Sequence, residues 1–134
     1  MTYHTIIIIG NLGTDPEMRY TPDGSAVCDF NVAANESYTN REGERVDKTV
    51  WFKITAWRKL AETCNAYLQK GKKVLVEGRL NPDPNTGRPK VWERQDGTSG
   101  ANYEVTAQTV RFLSPRGEGE GGYQVKEDEG EIPF

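Results

Sequence analysis

Residues 49–57 read TVWFKITAW, and this stretch decides the fold because its side chains alternate between two kinds of surface. In a β-strand, residues of one parity point to one face. One parity is apolar throughout and comprises Val50, Phe52, Ile54 and Ala56. The other parity carries Trp51, Lys53 and Trp57 between threonines. The stretch therefore predicts a strand with a complete apolar face toward a core and an aromatic, cationic face away from it.

The segments before this strand also have the periodicity of β-structure. Residues 6–9 are four isoleucines, and this β-branched run predicts a strand over residues 4–13 that is buried on both faces. Residues 26–36 alternate apolar and polar side chains and predict a half-buried second strand. The polar residues 39–45 predict the hairpin loop before the strand of residues 49–57.

After residue 57 the apolar period becomes helical. The helical stripe consists of Leu60, Ala61, Cys64, Tyr67 and Leu68. This spacing predicts a helix over residues 58–70 that Gly71 ends. Strands are predicted over 73–80 and 103–113, and the slip in apolar parity between Ala107 and Val110 indicates either a bulge or the end of the barrel. Residues 81–102 are polar and rich in Pro and Gly, and part of them can form a projecting arm.

Three strands, one helix and two further strands predict an all-β fold, a five-stranded OB-fold barrel with one helix between strands 3 and 4. We assign this domain to residues 1–114. Residues 115–134 are rich in Gly and Glu without periodicity, so we expect a disordered acidic tail. Residues 1–116 hold sixteen Lys and Arg against fourteen Asp and Glu, whereas residues 117–134 hold one lysine and six acids. The net charge of −3 is therefore a property of the tail, which indicates two functions in one chain.

The sequence contains no pattern typical of a metal site or an enzyme. Cys28 and Cys64 are 36 residues apart and His4 is the single histidine, a spacing that fits neither a zinc site nor a disulfide framework. Both cysteines lie on apolar stripes and are predicted to be core residues. We expect no cofactor, because the chain has no phosphate loop, nucleophile elbow or histidine-based dyad. No apolar run could cross a bilayer and the N-terminus lacks signal-peptide features, so we expect a cytoplasmic protein that does not bind membranes.

Trp51 and Trp57 allow two interpretations. Tryptophan is usually well buried, so both residues could pack under a loop or a neighbouring subunit. Their parity argues against this, because the core face of the strand is complete without them. Exposed rings beside Lys53 suit a single-stranded nucleic acid, whose bases stack on aromatics whatever their identity. We favour nucleic-acid contact for both, whereas spacing alone leaves Tyr38 and Trp92 compatible with either role.

The cations outside this strand are scattered, and a single one is more often a solvated surface charge than a phosphate contact. Lys53 is the exception because two tryptophans flank it. In the arm, Trp92 is surrounded by Arg88, Lys90 and Arg94, which extends the pattern of rings among cations.

The chain ends with EDEGEIPF over residues 127–134. Such an end can simply increase solubility. However, three apolar residues and a terminal carboxylate give it anchors that a pocket with a basic rim can bind. We favour a peptide that docks on other proteins through Asp128, Glu129, Glu131, Ile132, Pro133 and Phe134.

Several stretches together resemble the bacterial single-stranded DNA-binding protein family. They are IGNLGTDPEMRY (9–20), NESY (35–38), WF (51–52), KLAE (59–62), YLQKG (67–71), VEGRL (76–80) and the final IPF. The resemblance implies a homotetramer on the nucleoid that protects single-stranded DNA with little sequence preference. It implies base stacking at Tyr38, Trp51, Trp57 and Trp92, and phosphate contacts at Arg19, Lys59 and Lys70.

The resemblance also implies that the acidic tip recruits replication, repair and recombination proteins. The chain departs from the family pattern where members often have tryptophan at position 38 and phenylalanine at position 57, and either exchange keeps a ring. Residues 81–89, NPDPNTGRP, take the place of a shorter basic approach to Trp92. The alternative function is an OB-type protein-interaction module that does not bind DNA. A third interpretation, a small enzyme that acts on nucleic acid, is disfavoured because the sequence offers no catalytic residues.

Overall fold

Strands form most of the fold in the computed structural model, which describes residues 1–114. The strands are β1 (Ile6–Leu12), β2 (Glu17–Tyr20), β3 (Ala26–Thr39), β4 (Arg45–Trp57), β5 (Lys73–Leu80), β6 (Val91–Glu93), β7 (Ser99–Ala101) and β8 (Tyr103–Phe112). The helix α1 (Arg58–Tyr67) follows β4 directly. The tail expected over 115–134, with its partner-binding tip, lies outside the described residues.

Five of these strands close into a barrel. Their order is β1–β5–β8–β4–β3, and a short pairing of Asn11 and Leu12 with β3 closes the ring. β4 and β8 run parallel, whereas the other neighbouring strands of the barrel are antiparallel. α1 connects the third barrel strand to the fourth. This arrangement confirms the predicted OB-fold.

The predicted core face of β4 is confirmed for Phe52, Ile54 and Ala56, whereas Val50 is only half-buried and lies outside the core cluster. Ile54 and Ala56 are fully buried, and Phe52 packs against the same apolar cluster. Cys28 from β3 and Cys64 from α1 are also fully buried, as free thiols, so the prediction that both are core residues is confirmed.

The prediction that the isoleucine run is buried on both faces is wrong for the single chain. Ile8 is 4% exposed, but Ile7 and Ile9 are 60% and 51% exposed. The reason is the alternation of the strand: Ile8 points into the barrel, whereas Ile7 and Ile9 point to its outer face, which no other segment of residues 1–114 covers. In addition, residues 6–10 pair with β5 on one side, and within the described residues no strand pairs with their other edge. A continuous apolar run does not reveal which of its faces the rest of the chain covers.

α1 is shorter than predicted. It ends at Tyr67, and Leu68 leaves helical geometry at φ −100° and ψ 152° while its N–H still donates to the carbonyl of Cys64. Leu68 is 6% exposed, so the chain turns here to bury this side chain. Gly71 does not end the helix; it lies with φ +92° in a turn in which the Lys72 N–H donates to the Gln69 carbonyl at 3.1 Å.

The β3–β4 hairpin is longer than predicted, and β2 was not predicted at all. β3 continues to Thr39 and β4 begins at Arg45, so only residues 40–44 form the loop. The outer part of the hairpin is polar, but cross-strand bonds hold its register. Ser37 donates to Asp47 at 2.6 Å and Thr49 donates to Asn35 at 2.6 Å.

Residues 81–102 contain the short hairpin β6–β7, a two-stranded sheet separate from the barrel. The predicted bulge is confirmed, because β5 and β8 shift register between Glu77 and Gly78 and leave Gln108 as the additional residue. None of the helical structure within residues 1–114 is long and apolar enough to cross a membrane.

Candidate nucleic-acid interface

The outer face of β4 continues across its neighbours as one surface, which we call the tryptophan face. It comprises Trp51, Lys53, Thr55 and Trp57 with the β3 residues Ala33, Asn31 and Asp29 opposite the first three, whereas Val27, opposite Trp57, is fully buried. Directly opposed residues of antiparallel strands share a face of the sheet. Trp51 and Trp57 are 54% and 38% exposed, so both lie outside the core as predicted.

Asp29 organises the centre of the tryptophan face. Arg19 Nε donates to its Oδ2 at 2.9 Å, and the Thr55 hydroxyl donates to its Oδ1 at 2.9 Å. In the register of β2 with β3, Arg19 lies opposite Val27, which in turn lies opposite Trp57. The Arg19 side chain is still 57% exposed. Its ion pair with Asp29 therefore holds a guanidinium near Trp57 while leaving it accessible.

An open cavity of about 260 Å³ lies at the middle of the tryptophan face. It is lined by Thr14, Asp15, Glu17, Asp29, Phe30, Asn31 and Lys53. Lys53 is the one cation among these residues, which include three carboxylates. Lys53 thus lies between the two tryptophans along β4, as predicted from the sequence. The cavity beside it, however, contains more carboxylates than cations.

The backbone adopts an unusual conformation at the Trp57 end of the face. Trp57 is the last residue of β4, and Arg58, the first of α1, has a φ of 57°. Residues with a side chain rarely adopt this left-handed conformation. No loop separates β4 from α1, so Lys59 lies in the first turn of the helix, close to Trp57. Its side chain is exposed.

Lys70 is exposed in the turn that follows α1. Its backbone N–H donates to Asp15 Oδ1 at 2.8 Å, and the Gly71 N–H donates to the Leu12 carbonyl at 2.9 Å. Asp15 lines the cavity of the tryptophan face. These bonds bring Lys70 to the margin of that face from a different part of the chain.

The arm carries the third tryptophan. Trp92 lies opposite Gly100 in the β6–β7 register and is 41% exposed. The Arg94 guanidinium lies 5.6 Å from the centre of its ring and donates to the Ser99 carbonyl at 2.9 Å and to Thr98 Oγ1 at 3.3 Å. These bonds hold the cation next to the indole.

The base of the arm is attached beside Lys53. Glu104 on β8 lies opposite Lys53 in the parallel pairing with β4. Lys90 Nζ lies 3.2 Å from Glu104 Oε1, and the Asn81 N–H donates to the Glu104 carbonyl at 2.8 Å. The structure therefore brings Lys90 next to the tryptophan face, whereas Arg88 is exposed in the segment of the arm before β6.

Tyr38 does not share the tryptophan face. It lies opposite Val46, and the β3–β4 register runs without a shift from Val27 to Thr39. Tyr38 is therefore on the same parity as the core residues Phe30 and Val32, opposite to Trp51. It is nevertheless 50% exposed, because it lies in the part of the hairpin that extends beyond the core.

Two acidic residues of this region were missed by the sequence analysis. Asp29 and Glu104 position Arg19 and Lys90, but nothing in residue periodicity reveals which strands pair.

The sequence analysis also missed a contact between a cation and an aromatic ring away from the tryptophan face: the Arg79 guanidinium lies 4.6 Å from the ring centre of the exposed Tyr3. Only the pairing of β1 with β5 brings these distant segments together.

Solved structures of similar fold come from bacteria and a protozoan. The small single-stranded DNA-binding protein of Streptomyces coelicolor has a TM-score of 0.68 at 27% identity, with 84% of this chain and 96% of that chain covered. The Plasmodium falciparum SSB in its complex with ssDNA has a TM-score of 0.70 at 24% identity, with 85% and 97% covered. Because its identity to this chain is only 24%, the Plasmodium structure supports the fold alone.

Sequence relatives cover more of the chain. The single-stranded DNA-binding protein of Neisseria meningitidis serogroup A is 40% identical over 131 residues, which cover 98% of this chain and 71% of the relative. The single-stranded DNA-binding protein A of Bacillus subtilis is 38% identical over 121 residues, covering 88% and 65%. The profile of the Single-strand binding protein family matches residues 3–113. With its barrel, its tryptophan face and these relatives, the chain belongs to the bacterial single-stranded DNA-binding protein family.

Proposed function

We propose that this protein binds single-stranded DNA without sequence preference, by stacking bases on exposed aromatic side chains and contacting phosphates with cations. The observation that carries the proposal is the pair of exposed indoles, Trp51 and Trp57, on one face of β4 with Lys53 between them. The core is closed without them, so their exposure has no structural benefit. Membership of the family supports the same function.

The spacing of the two indoles suits a flexible strand of nucleotides. Trp57 follows Trp51 by six residues along β4, so at ~3.3 Å per residue the two positions are about 20 Å apart. Several nucleotides span such a distance, and Lys53 lies between the two indoles, two residues from Trp51 and four from Trp57. Each stacked base contributes ~1–3 kcal/mol whatever its identity, because every base has an aromatic face.

The remaining predicted contacts extend this path in different directions. Arg19 and Lys59 lie toward the Trp57 end, and Lys70 lies at the margin of the cavity. The arm contributes Trp92 with Arg88, Lys90 and Arg94, and Lys90 marks its attachment. Contact with Tyr38 requires the DNA to pass around the β3–β4 hairpin, because this ring is on the opposite face from Trp51.

We further infer that the protein assembles with copies of itself, the homotetramer being the state that the family resemblance implies. The open edge of β1 leaves backbone groups of residues 6–10 without a neighbouring strand, and Ile7 and Ile9 are exposed beside it. A second copy that adds its own β1 would complete the hydrogen bonds at this edge, and further copies packed on the outer face would cover the isoleucines. Several tryptophan faces in one oligomer would then bind one DNA strand with high effective concentration.

The acidic tip is proposed to recruit replication, repair and recombination proteins. Its acidic residues precede three apolar anchors and the terminal carboxylate, a combination that suits a basic, apolar pocket on a partner. The barrel would protect the DNA while the tip brings partners to it.

The test of DNA binding compares alanine variants of the tryptophan face by the anisotropy of labelled oligo(dT). Trp51→Ala and Trp57→Ala are each expected to weaken binding roughly five- to hundredfold, since each removes a stacked base. Tyr67→Ala is the matched control, because Tyr67 is 63% exposed on α1 outside the tryptophan face. Deletion of residues 132–134 should also preserve DNA affinity while abolishing capture of partner proteins.

The same assay separates the functional classes. Weak binding of duplex DNA and strong, salt-dependent binding of oligo(dT) are expected, because each neutralised phosphate releases counterions. An unaltered affinity in both tryptophan variants would refute the stacking mechanism. No binding of oligo(dT) by the intact protein would instead point to a protein-interaction module, and sustained cleavage of the oligonucleotide would reveal an enzyme.

A further inference from the structure

We propose that Gly13 is a positioning residue for Trp51: its missing side chain admits the outer edge of the indole and fixes the ring with its faces open to a base. This inference rests on the proposed function and adds a residue that the stacking mechanism above does not contain. Gly13 follows β1 directly and itself carries no group that could stack or pair with a phosphate.

The contact is with the edge of the indole. A Cβ atom added to Gly13 would lie 2.4 Å from Trp51 Cζ3 and 2.7 Å from Cη2, closer than unbonded carbon atoms approach. It would lie 3.7 Å from Cε3, although Cε3 is bonded to Cζ3. The distance from the added Cβ therefore grows by almost a full bond length between Cζ3 and Cε3. This places the added atom in line with the Cε3–Cζ3 bond, at the outer edge of the ring and not over its face. The ring abuts Gly13 edge-on and is still 54% exposed.

The backbone at residue 13 does not itself require glycine. Glycines 24, 43, 71, 87 and 97 have positive φ, but Gly13 does not. At Gly10 and Gly78 an added Cβ would meet backbone oxygens at 2.3 and 2.1 Å. At Gly13 the three nearest atoms all belong to the indole of Trp51. The requirement for glycine here therefore comes from one side chain.

The arm repeats this arrangement independently. An added Cβ at Gly100 would lie 2.6 Å from Trp92 Cζ2 and 2.8 Å from an Arg94 terminal nitrogen, and Gly100 also lacks a positive φ. Glycine within a strand often marks such a close approach of another group. Two of the three tryptophans of the chain thus lie against a glycine, in two separate sheets.

We call the contact between Gly13 and the edge of the Trp51 indole the glycine seat. Its advantage is that the ring is already oriented before DNA binds. Immobilising a free surface side chain on binding costs about 0.5–1.5 kcal/mol. The seat itself is fixed, because the Gly13 N–H donates to the Asn31 carbonyl at 2.9 Å. Asn31 lies opposite Lys53 on β4, so the seat and the tryptophan face are parts of one sheet.

The test is a double-mutant cycle between residues 13 and 51. Gly13→Ala should weaken oligo(dT) binding roughly two- to tenfold, as expected when the orientation of one ring is lost. Phenylalanine lacks the outer ring atoms that touch Gly13, so in a Trp51→Phe background the same substitution should change affinity less than about twofold. An equal loss in both backgrounds, or no loss in either, would overturn the proposal.

A second measurement does not depend on DNA. The chain has three tryptophans, so the NMR spectrum of the free protein should contain three indole N–H signals. Gly13→Ala should shift the Trp51 signal and leave those of Trp57 and Trp92 in place; an unshifted Trp51 signal would contradict the seat. Failure of the wild-type protein to bind oligo(dT) would refute the proposed function, whereas these signals test the seat alone.

The cycle also decides the case in which the single variant does not fold. If Gly13→Ala is unfolded but the double variant with Trp51→Phe is folded, the clash is with the indole and the proposal is supported. If both variants are unfolded, Gly13 serves the fold in another way and the proposal is wrong. Circular dichroism distinguishes these outcomes.

Discussion

At the scale of single residues, the carboxylate of Asp29 influences both the surface and the core. On the surface it binds Arg19 and Thr55, and an exposed ion pair of this kind contributes only about 0–1 kcal/mol to stability. The main effect of this ion pair is therefore to orient Arg19 near Trp57. In the core, its charge adds to the effect of burial on the neighbouring Cys28 thiol.

The two core thiols predict a loss of stability at alkaline pH. Burial, with a contribution from Asp29, raises the pKa of Cys28 from 9.0 to about 11, and burial, with a contribution from Cys28, also raises the pKa of Cys64. The unfolded chain therefore loses these protons first as the pH rises. Below pH 9 the thiols leave the free energy of unfolding unchanged, and between about pH 9 and 11 they lower it. Urea unfolding across this range measures the effect.

Tyrosine and lysine titrate in the same range, so the control is the variant with both Cys28→Ala and Cys64→Ala. Its free energy of unfolding should decrease less steeply above pH 9 than that of the wild type. Identical slopes in the two proteins would show that the thiols do not cause the loss.

At the scale of elements, the turn after α1 connects the helix, β1 and the cavity. The Gly71 N–H donates to the Leu12 carbonyl at 2.9 Å, and Asn11 Nδ2 donates to the Gly71 carbonyl at 3.1 Å. Gly71 has φ +92°, but an added Cβ would meet no atom within 4 Å. Its substitution therefore tests backbone strain without a steric clash.

Gly71→Ala is expected to lower the free energy of unfolding by about 1–2 kcal/mol, the cost of a left-handed conformation for a residue with a side chain. Urea denaturation measures this value. Gly71→Asn is the matched control and should cost less, because asparagine adopts this conformation more readily. An alanine variant as stable as the wild type would contradict the explanation.

At the scale of the whole molecule, the open edge of β1 predicts self-association. A carboxylate in place of an apolar side chain at a buried interface is costly. Ile7→Asp and Ile9→Asp should therefore each reduce the mass in solution measured by light scattering, with folding retained because both side chains lie outside the core of the single chain.

Tyr20→Asp is the control for this prediction, because Tyr20 is 65% exposed on β2, away from the open edge of β1. Its mass should equal that of the wild type. A wild-type protein that is monomeric at all concentrations tested would refute the inferred assembly.

The sequence by itself determined the features that depend on local periodicity. Because side chains of a strand alternate, the apolar parity of β4 was enough to place Trp51 and Trp57 outside the core. The change to a helical period placed α1 after β4, and the order of elements indicated the OB-fold. These patterns could be detected within one segment, without knowledge of its neighbours.

Only the tertiary structure decided which segments meet. The pairing of β2 with β3 joins Arg19 to Asp29, and the return of the arm to β8 joins Lys90 to Glu104. The pairing of β3 with β4 extends both strands beyond the predicted bounds and so places Tyr38 on the face opposite to the tryptophan face, and no segment of residues 1–114 covers Ile7 on the outer face of β1. The choice of neighbouring strand and the coverage of each face depend on contacts between residues far apart in the chain, and the periodicity of one segment does not reveal which other segment it will meet.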